Sequence, residues 1–426
     1  MELDDLELDA TVISPYKPGW QDEKEPSDRA FKTLCAAFER LKADDSEFAL
    51  SMLLSIRDSE LEESPSFAMR RYYYLAACYF EIAQRARIEE SRAPLRCARD
   101  NYKLALSLAV EHNDTLSQVT LYRMFGEAWH NSENYEQALS EYLTAFTTLR
   151  RYPPSDITKN ARAEIKLRTR IARQQYLLGQ YASALDHIAT TREIRGRLGG
   201  PATTQFDRVA EEWTEALILR AESQRSGGEL RMLRAALRLF KSAERRLEGD
   251  EEHRASQRRL YIQIVESHLD LAEYYRSMGK NPSYKTNMRL AEKYVIMASD
   301  ALRETKDSAG KALATLTLLR HDHLNLKAYE LAPRIHELEG EGDTRAPEEH
   351  ALAPRIYDQE KIAEAMNDLV LIARAATLRA DVLFSMRDYT AAMVVYYFAI
   401  ATFERAGARG ESTRAVYGVR KALDLV

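Results

Sequence analysis

The sequence predicts an all-α protein: a right-handed α-solenoid of stacked antiparallel helix pairs. Three observations carry this. The 426 residues include only 16 Gly and 12 Pro, too few for a fold built on many tight turns. From Asp28 onward, apolar residues recur at helical spacing between short polar or Gly/Pro breaks, which delimit about sixteen helices. Small residues then recur seven apart, two helical turns, so each such couple lies on one helix face.

Residues 1–27 read differently from the rest. "LDDLELDATVI" alternates acidic and apolar residues, and "SPYKPGWQDEKEPSD" has no helical period. An acidic, mobile N-terminal arm is expected here. Residues 28–410 form the helical array. Its breaks fall at 44–46, 62–66, 111–114, 152–156, 198–204, 226–228, 248–253 and 278–283. Pro154, Pro282 and Pro354 are expected at helix boundaries. The stretch "EGEGDTRAPEEHALAP" (339–354) is expected to be a flexible loop, and the second helix of the pair between 305 and 370 has no clear place. Residues 411–426 are expected to form a C-terminal capping helix with Val416, Val419 and Leu423 inward.

The small residues set the repeat. Gly126, Ala138 and Ala145 stand at offsets of twelve and seven; Ala172, Ala184 and Thr191, and then Ala380, Ala392 and Ala399, repeat them. The seven-residue couple recurs at Ala98/Ala105, Ala236/Ala243 and Ala291/Ala298. Small residues let a neighbouring helix approach closely. An aromatic stands three residues before the turn-side Ala in each of the first three units (Tyr135, Tyr181, Tyr389), placed to wedge between the helices of its own pair. Neither helix buries its apolar face alone, so the pairs must stack.

At these residues the chain resembles the tetratricopeptide repeat family. Residues 119–152 show its pattern: Tyr122, Phe125-Gly126, Trp129, Ala138, Tyr142 and Ala145, with Pro153 after. Residues 373–406 show it through Ala376, Arg379-Ala380, Leu383, Ala392, Tyr396 and Ala399, and residues 165–198 more weakly. The spacing exceeds the family's usual repeat, so longer helices or turns must absorb the difference. The resemblance implies a concave groove, made by the first helix of each pair, that takes a peptide. Carried over, the groove positions are Thr120, Arg123, Glu127, His130 and Asn131; then Lys166, Thr169, Arg173, Tyr176 and Leu177; then Arg374, Thr377, Asp381, Phe384 and Ser385. Independently of it, Arg162, Lys166, Arg170, Arg173 and Tyr176 follow at steps of four, four, three and three, a basic stripe ending in an aromatic. Such a stripe suits an acidic–apolar partner segment, whether from another protein or from the chain's own arm; a solvated surface face is the plainer alternative.

No catalytic or cofactor constellation competes with this. The sequence lacks HExxH, Walker, GxSxG and Rossmann patterns. His321 and His323 are two apart, about 200° round a helix, and so do not face one metal ion. Cys35, Cys78 and Cys97 match no zinc spacing and sit in apolar helical stretches, as small core residues of a reducing compartment do. A net charge of −5 argues against a nucleic-acid partner. The acidic start "MELDDLELDA" is unlike a leader, and the apolar runs are too short to span a bilayer. The expectation is therefore a cytoplasmic, non-enzymatic interaction scaffold or regulatory subunit with a protein or peptide partner, no cofactor, no metal and no membrane. Two alternatives are a peptide sensor that changes solenoid curvature and an enzyme with an unrecognised site.

Overall fold

The computed structural model describes residues 13–14, 23–43, 45–85, 88–153, 156–198, 204–226, 229–248, 254–303, 308–331, 346–366 and 368–425. Seventeen α-helices lie among them, in eight consecutive couples and a closing helix. These are α1 (Asp28–Lys42) and α2 (Ser46–Leu54), α3 (Pro65–Arg85) and α4 (Ile88–Glu111), α5 (Thr115–Asn131) and α6 (Tyr135–Arg151), and α7 (Ile157–Leu177) and α8 (Tyr181–Leu198). Then follow α9 (Gln205–Arg225) and α10 (Leu230–Leu247), α11 (Arg254–Ser277) and α12 (Asn281–Arg303), α13 (Ser308–Leu331) and α14 (Ala346–Ala365), α15 (Leu369–Ser385) and α16 (Tyr389–Arg405), and α17 (Thr413–Leu423). The chain divides into two compact units: Met1–Gln174 with Glu193–Ala202, and Gln175–Arg192 with Thr203–Val426.

Four of the turns between coupled helices share one chemistry. In each, the first helix ends on a residue in the left-handed region: Glu133 (φ 58°), Gly179 (φ 77°), Gly279 (φ 66°) and Arg387 (φ 63°). The next amide reaches back five residues: Asn134 to Trp129 (3.0 Å), Gln180 to Gln175 (2.7 Å), Lys280 to Tyr275 (2.8 Å) and Asp388 to Leu383 (3.1 Å). That satisfies carbonyls the helix end would orphan. Where the same residue is Asn134 or Asp388, its side chain also caps the second helix, accepting from Gln137 N and Ala391 N. The turn aromatics then wedge as expected, His130 against Tyr135, Tyr176 against Tyr181 and Phe384 against Tyr389, with ring centroids 5.5, 6.2 and 5.2 Å apart.

In the first unit, α1 to α6 each pack on the next. The small couples Ala98/Ala105 and Ala138/Ala145 are fully buried. A Cβ on Gly126 would sit 2.7 Å from the Tyr142 ring, which is why the second repeat position after Phe125 is Gly. The described part of the arm is docked: Ile13 is buried and its carbonyl accepts from the Tyr74 hydroxyl. Lys24 binds Glu63 through both backbone and side chain, and Glu23 accepts from Ser66 N at 2.9 Å. Residues 1–12 and 15–22 lie outside the described residues.

In the second unit, α9 to α17 each pack on the next, α11, α13 and α15 also contact in turn, and α17 returns to α9. The unit is thus a ring with the first helices inside. Ala236/Ala243, Ala291/Ala298 and Ala392/Ala399 are buried at the expected helix contacts. Three expectations are corrected here. Pro354 lies inside α14, not at a boundary; Leu352 and Ile356 on either side of it are buried with Leu319 and Leu371, and that burial holds the helix through the missing hydrogen bond. Residues 346–354 are therefore helix, while 339–345 lie outside the described residues. The inward face of α17 is Ala415, Gly418, Val419 and Ala422, whereas Leu423 is 56% exposed. The reason is the Tyr396 ring, 2.3 Å from where a Gly418 Cβ would be: the helix approaches along its smallest residues, not its largest. Of the cysteines only Cys78 is buried, and burial pushes its thiol up to about 12.

Two outcomes follow. Ala138→Leu overpacks a closed helix contact and lowers unfolding free energy by about 1–3 kcal/mol in urea titration. His268 is buried, with Nδ1 2.9 Å from Asn287 Oδ1, and burial above all holds its pKa at about 4 instead of 6.5. The unfolded chain therefore takes up this proton first, so stability is full above pH 6.5 and falls as pH drops from there towards 4. The melting temperature should decline across that window, and less in His268→Gln; an identical decline in the variant would reject the assignment.

Candidate functional site

The first unit holds one set of the groove positions. Thr120, Arg123 and Lys166 are buried. Glu127 on α5 forms an ion pair with Arg170 on α7. Burial pushes the Glu127 carboxyl up, but Arg170, with His130 and Arg123, outweighs it and leaves the pKa at about 2. His130 Nδ1 lies 3.1 Å from Gln174 Oε1; burial first, then Arg173, holds this imidazole at about 4 and so neutral. Asn131 is exposed and donates to the Glu127 carbonyl at 2.8 Å. The basic stripe is thus interrupted: Lys166 is internal, Arg170 is neutralised across the repeat, and Arg173 is the member open to solvent.

The ring of the second unit borders two adjoining, half-open cavities of about 110 and 220 Å³, which share Gln224, Arg320, Asp381 and Arg414 in their walls. Every first helix contributes: Arg220 and Gln224 from α9, Glu266, Asp270 and Glu273 from α11, Arg320 from α13, and Arg374, Asp381 and Phe384 from α15. The turn 409–412 and α17 add Glu411, Arg414 and Lys421, and Tyr176 closes one end.

Within this lining every charge named is matched. Arg220 donates to Asp270 Oδ2 (2.5 Å), Glu266 Oε2 (2.9 Å) and Gln263 Oε1 (3.3 Å). Arg320 donates to Glu266 and to Asp270 Oδ1 (2.5 Å) and lies 3.5 Å from Glu273. Arg414 donates twice to Asp381 Oδ2, at 2.6 and 3.0 Å, and the Tyr396 hydroxyl donates to Asp381 Oδ1 at 2.6 Å. Arg374 donates to Glu411 Oε2 at 2.7 Å and the Tyr176 hydroxyl to Glu411 Oε1 at 2.8 Å. Burial pushes the Asp270 carboxyl up, yet Arg220 and Arg320 together carry it well below the usual range. Burial likewise opposes the charge on Glu411, and Arg374 overrides it, keeping the carboxylate ionised.

Of the groove positions singled out in sequence, Tyr176, Arg374, Thr377, Asp381 and Phe384 line these cavities. Tyr176 and Phe384, like His130, also pack tilted or edge-on against the turn aromatic of their own couple. Arg220, Glu266, Asp270, Arg320, Glu411 and Arg414 went unseen. A signal existed for α11: Gln263, Glu266, Asp270 and Glu273 follow at three, four and three, one polar stripe on a first helix. His321 and His323 are both buried, and His323 Nε2 meets Ser385 Oγ at 3.3 Å. Among the described residues no three His, Cys, Asp or Glu side chains gather as a metal site, and no helix is long and apolar enough to cross a membrane. A lining with both signs of charge suits a chain segment that offers both signs in return.

No family model matches the sequence, and neither does any curated protein. Solved structures do. The apo form of the quorum sensor NprR from B. thuringiensis matches with a TM-score of 0.55 and 11% identity, over 88% of this chain and 87% of that one. Aspartyl phosphate phosphatase F from Bacillus subtilis matches with a TM-score of 0.52 and 13% identity, over 89% and 85%. The fold is therefore that of a tetratricopeptide-like helical-repeat protein.

Asp270→Asn removes the carboxylate that Arg220 and Arg320 share, and chemical unfolding should show a loss of about 3–5 kcal/mol. The exposed pair Lys32–Asp28 is the control: Asp28→Asn should change stability by about 0.5 kcal/mol or less.

Proposed function

We propose that this chain is a non-catalytic, cytoplasmic regulatory scaffold that senses a peptide in the cavity of the second unit. The observation that carries this is the lining: charged side chains from four successive first helices and the closing helix face two adjoining cavities. An extended segment there touches several repeats at once, so its binding is coupled to how the ring is held. The quorum sensor among the structural neighbours supports a sensing role. The aspartyl phosphate phosphatase raises the enzymatic alternative. The cavity favours binding, since Asp270, Glu266 and Glu411 are arginine-paired anions with lowered pKa values, poorly suited to proton transfer near neutral pH.

A second surface belongs to the same proposal. Arg173 and Asn131 are exposed, beside Glu127, His130, Lys166, Arg170 and Arg123, and offer the first unit's face to a protein partner. The test is mass spectrometry of peptides extracted from the protein purified from its own cells, together with affinity capture of its partners. Asp381→Lys should abolish the peptide and leave captured proteins in place, while Arg173→Glu should do the reverse. A peptide retained by Asp381→Lys would remove the cavity from consideration.

A further inference from the structure

The stretch Gly410 to Arg414 is held in the ring as a bound peptide would be. Its backbone is gripped once, by the Tyr181 hydroxyl donating to the Gly410 carbonyl at 3.0 Å. Its side chains reach three separate walls. Glu411 takes Arg374 and Tyr176 at 2.7 and 2.8 Å, Thr413 donates to Gln224 Oε1 of α9 at 3.1 Å, and Arg414 takes Asp381 of α15. The backbone passes so close to Tyr176 that a Cβ on Gly410 would lie 1.9 Å from its carbonyl oxygen. Arg374 and Asp381 are seven apart, two turns of one helix, so α15 presents a cation and an anion in register to a segment that carries Glu and Arg three apart. These bonds to the wall are polar side-chain bonds, whereas α17 is also anchored by Ala415 and Val419 in the apolar cluster with Tyr396 and Ala399. The wall contacts can therefore be exchanged while the helix stays seated.

Resting on the cavity as the peptide site, we propose that Arg374 with Tyr176, and Asp381, are ligand seats filled in cis by Glu411 and Arg414, so that a peptide with an acidic residue and a basic one three positions on displaces the 409–412 turn and the Arg414 side chain. The cis segment competes at high effective concentration, so the resting protein is closed to weak ligands and opens to those that match both seats. Exchange conserves charge: one carboxylate leaves Arg374 as another arrives, and no buried ion is left bare.

The probe is the chain's own octapeptide of residues 407–414, GARGESTR, with blocked ends, and the same peptide with Gln for its Glu. Binding is measured by calorimetry to full-length wild type, E411A, E411Q and E411A/R374M, each first checked for native helix content. The Glu peptide should bind E411A and E411Q, the Gln peptide should bind about tenfold or more weakly, and E411A/R374M should lose the distinction. Wild type should bind the Glu peptide more weakly than either single variant. In E411Q, where the volume at the seat is unchanged, amide exchange of residues 409–412 should rise when the Glu peptide is added. Equal binding of the two peptides to E411Q, or equal binding of the Glu peptide to wild type and E411Q, overturns the proposal. A natural peptide that still co-purifies with wild type and E411Q alike, while both octapeptides fail, overturns the cis seats and leaves the cavity standing as a peptide site.

Discussion

Arginines and carboxylates enclosed together must find one another, and in the second unit that requirement decides which helices are neighbours. Arg220 ties α9 to α11, Arg320 ties α13 to α11, and Arg414 ties α17 to α15. Glu411 draws the turn 409–412 onto Arg374. The carboxylates of α11 are the hub, since Glu266 and Asp270 each receive two arginines. Pairs of this kind add little net stability over apolar side chains of equal volume, but removing one partner is costly. Their contribution is to specify one arrangement of the ring and to place both signs of charge along its interior.

A second constraint acts between the helices. The second helices of the couples are held close by small residues, and the aromatics opposite them fill the space. Tyr142 packs where Gly126 leaves room, and Tyr396 where Gly418 does. This frees the first helices to turn polar side chains inward without losing the apolar contacts that stabilise the stack, each fully buried large side chain being worth about 1.5–3 kcal/mol. Packing and recognition thus lie on different faces and answer to different residue types.

That separation explains what the sequence reveals. The small residues at offsets of seven, the turn aromatics and the helix breaks are local patterns, and they make the couples α5–α6, α7–α8 and α15–α16 legible, but not the break between α3 and α4 or the pair near 305–370. The inward face of α17 does not follow hydrophobic size, because the Tyr396 ring selects for the absence of a side chain at Gly418. The cavity was only half legible. Arg374 and Asp381 lie in a couple whose frame is clear, whereas Arg220, Asp270 and Arg320 lie in couples whose frame is faint. Glu411 and Arg414 were hidden for another reason. Their role comes from ring closure, which brings residue 411 to residue 176, and no local period records a contact of that separation.

The basic stripe shows why a charge pattern in sequence is weak evidence for a free surface. Lys166, Arg170 and Arg173 share a face of α7, but Arg170 meets Glu127 from the previous couple, and the two neutralise each other across the repeat. The same cross-repeat pairing governs the second unit, where cationic and anionic first helices alternate: α9 and α13 supply arginines, α11 between them supplies carboxylates. In a stacked array each first helix sees the next, so an unpaired charge on one selects its opposite on the neighbour. A ligand entering such a lining meets charges that are already satisfied. It must exchange partners, not simply add them, and its affinity is the small difference between two well-made sets of bonds. A site of that kind responds to sequence more than to charge, because only a segment that remakes every bond in register loses nothing by the exchange.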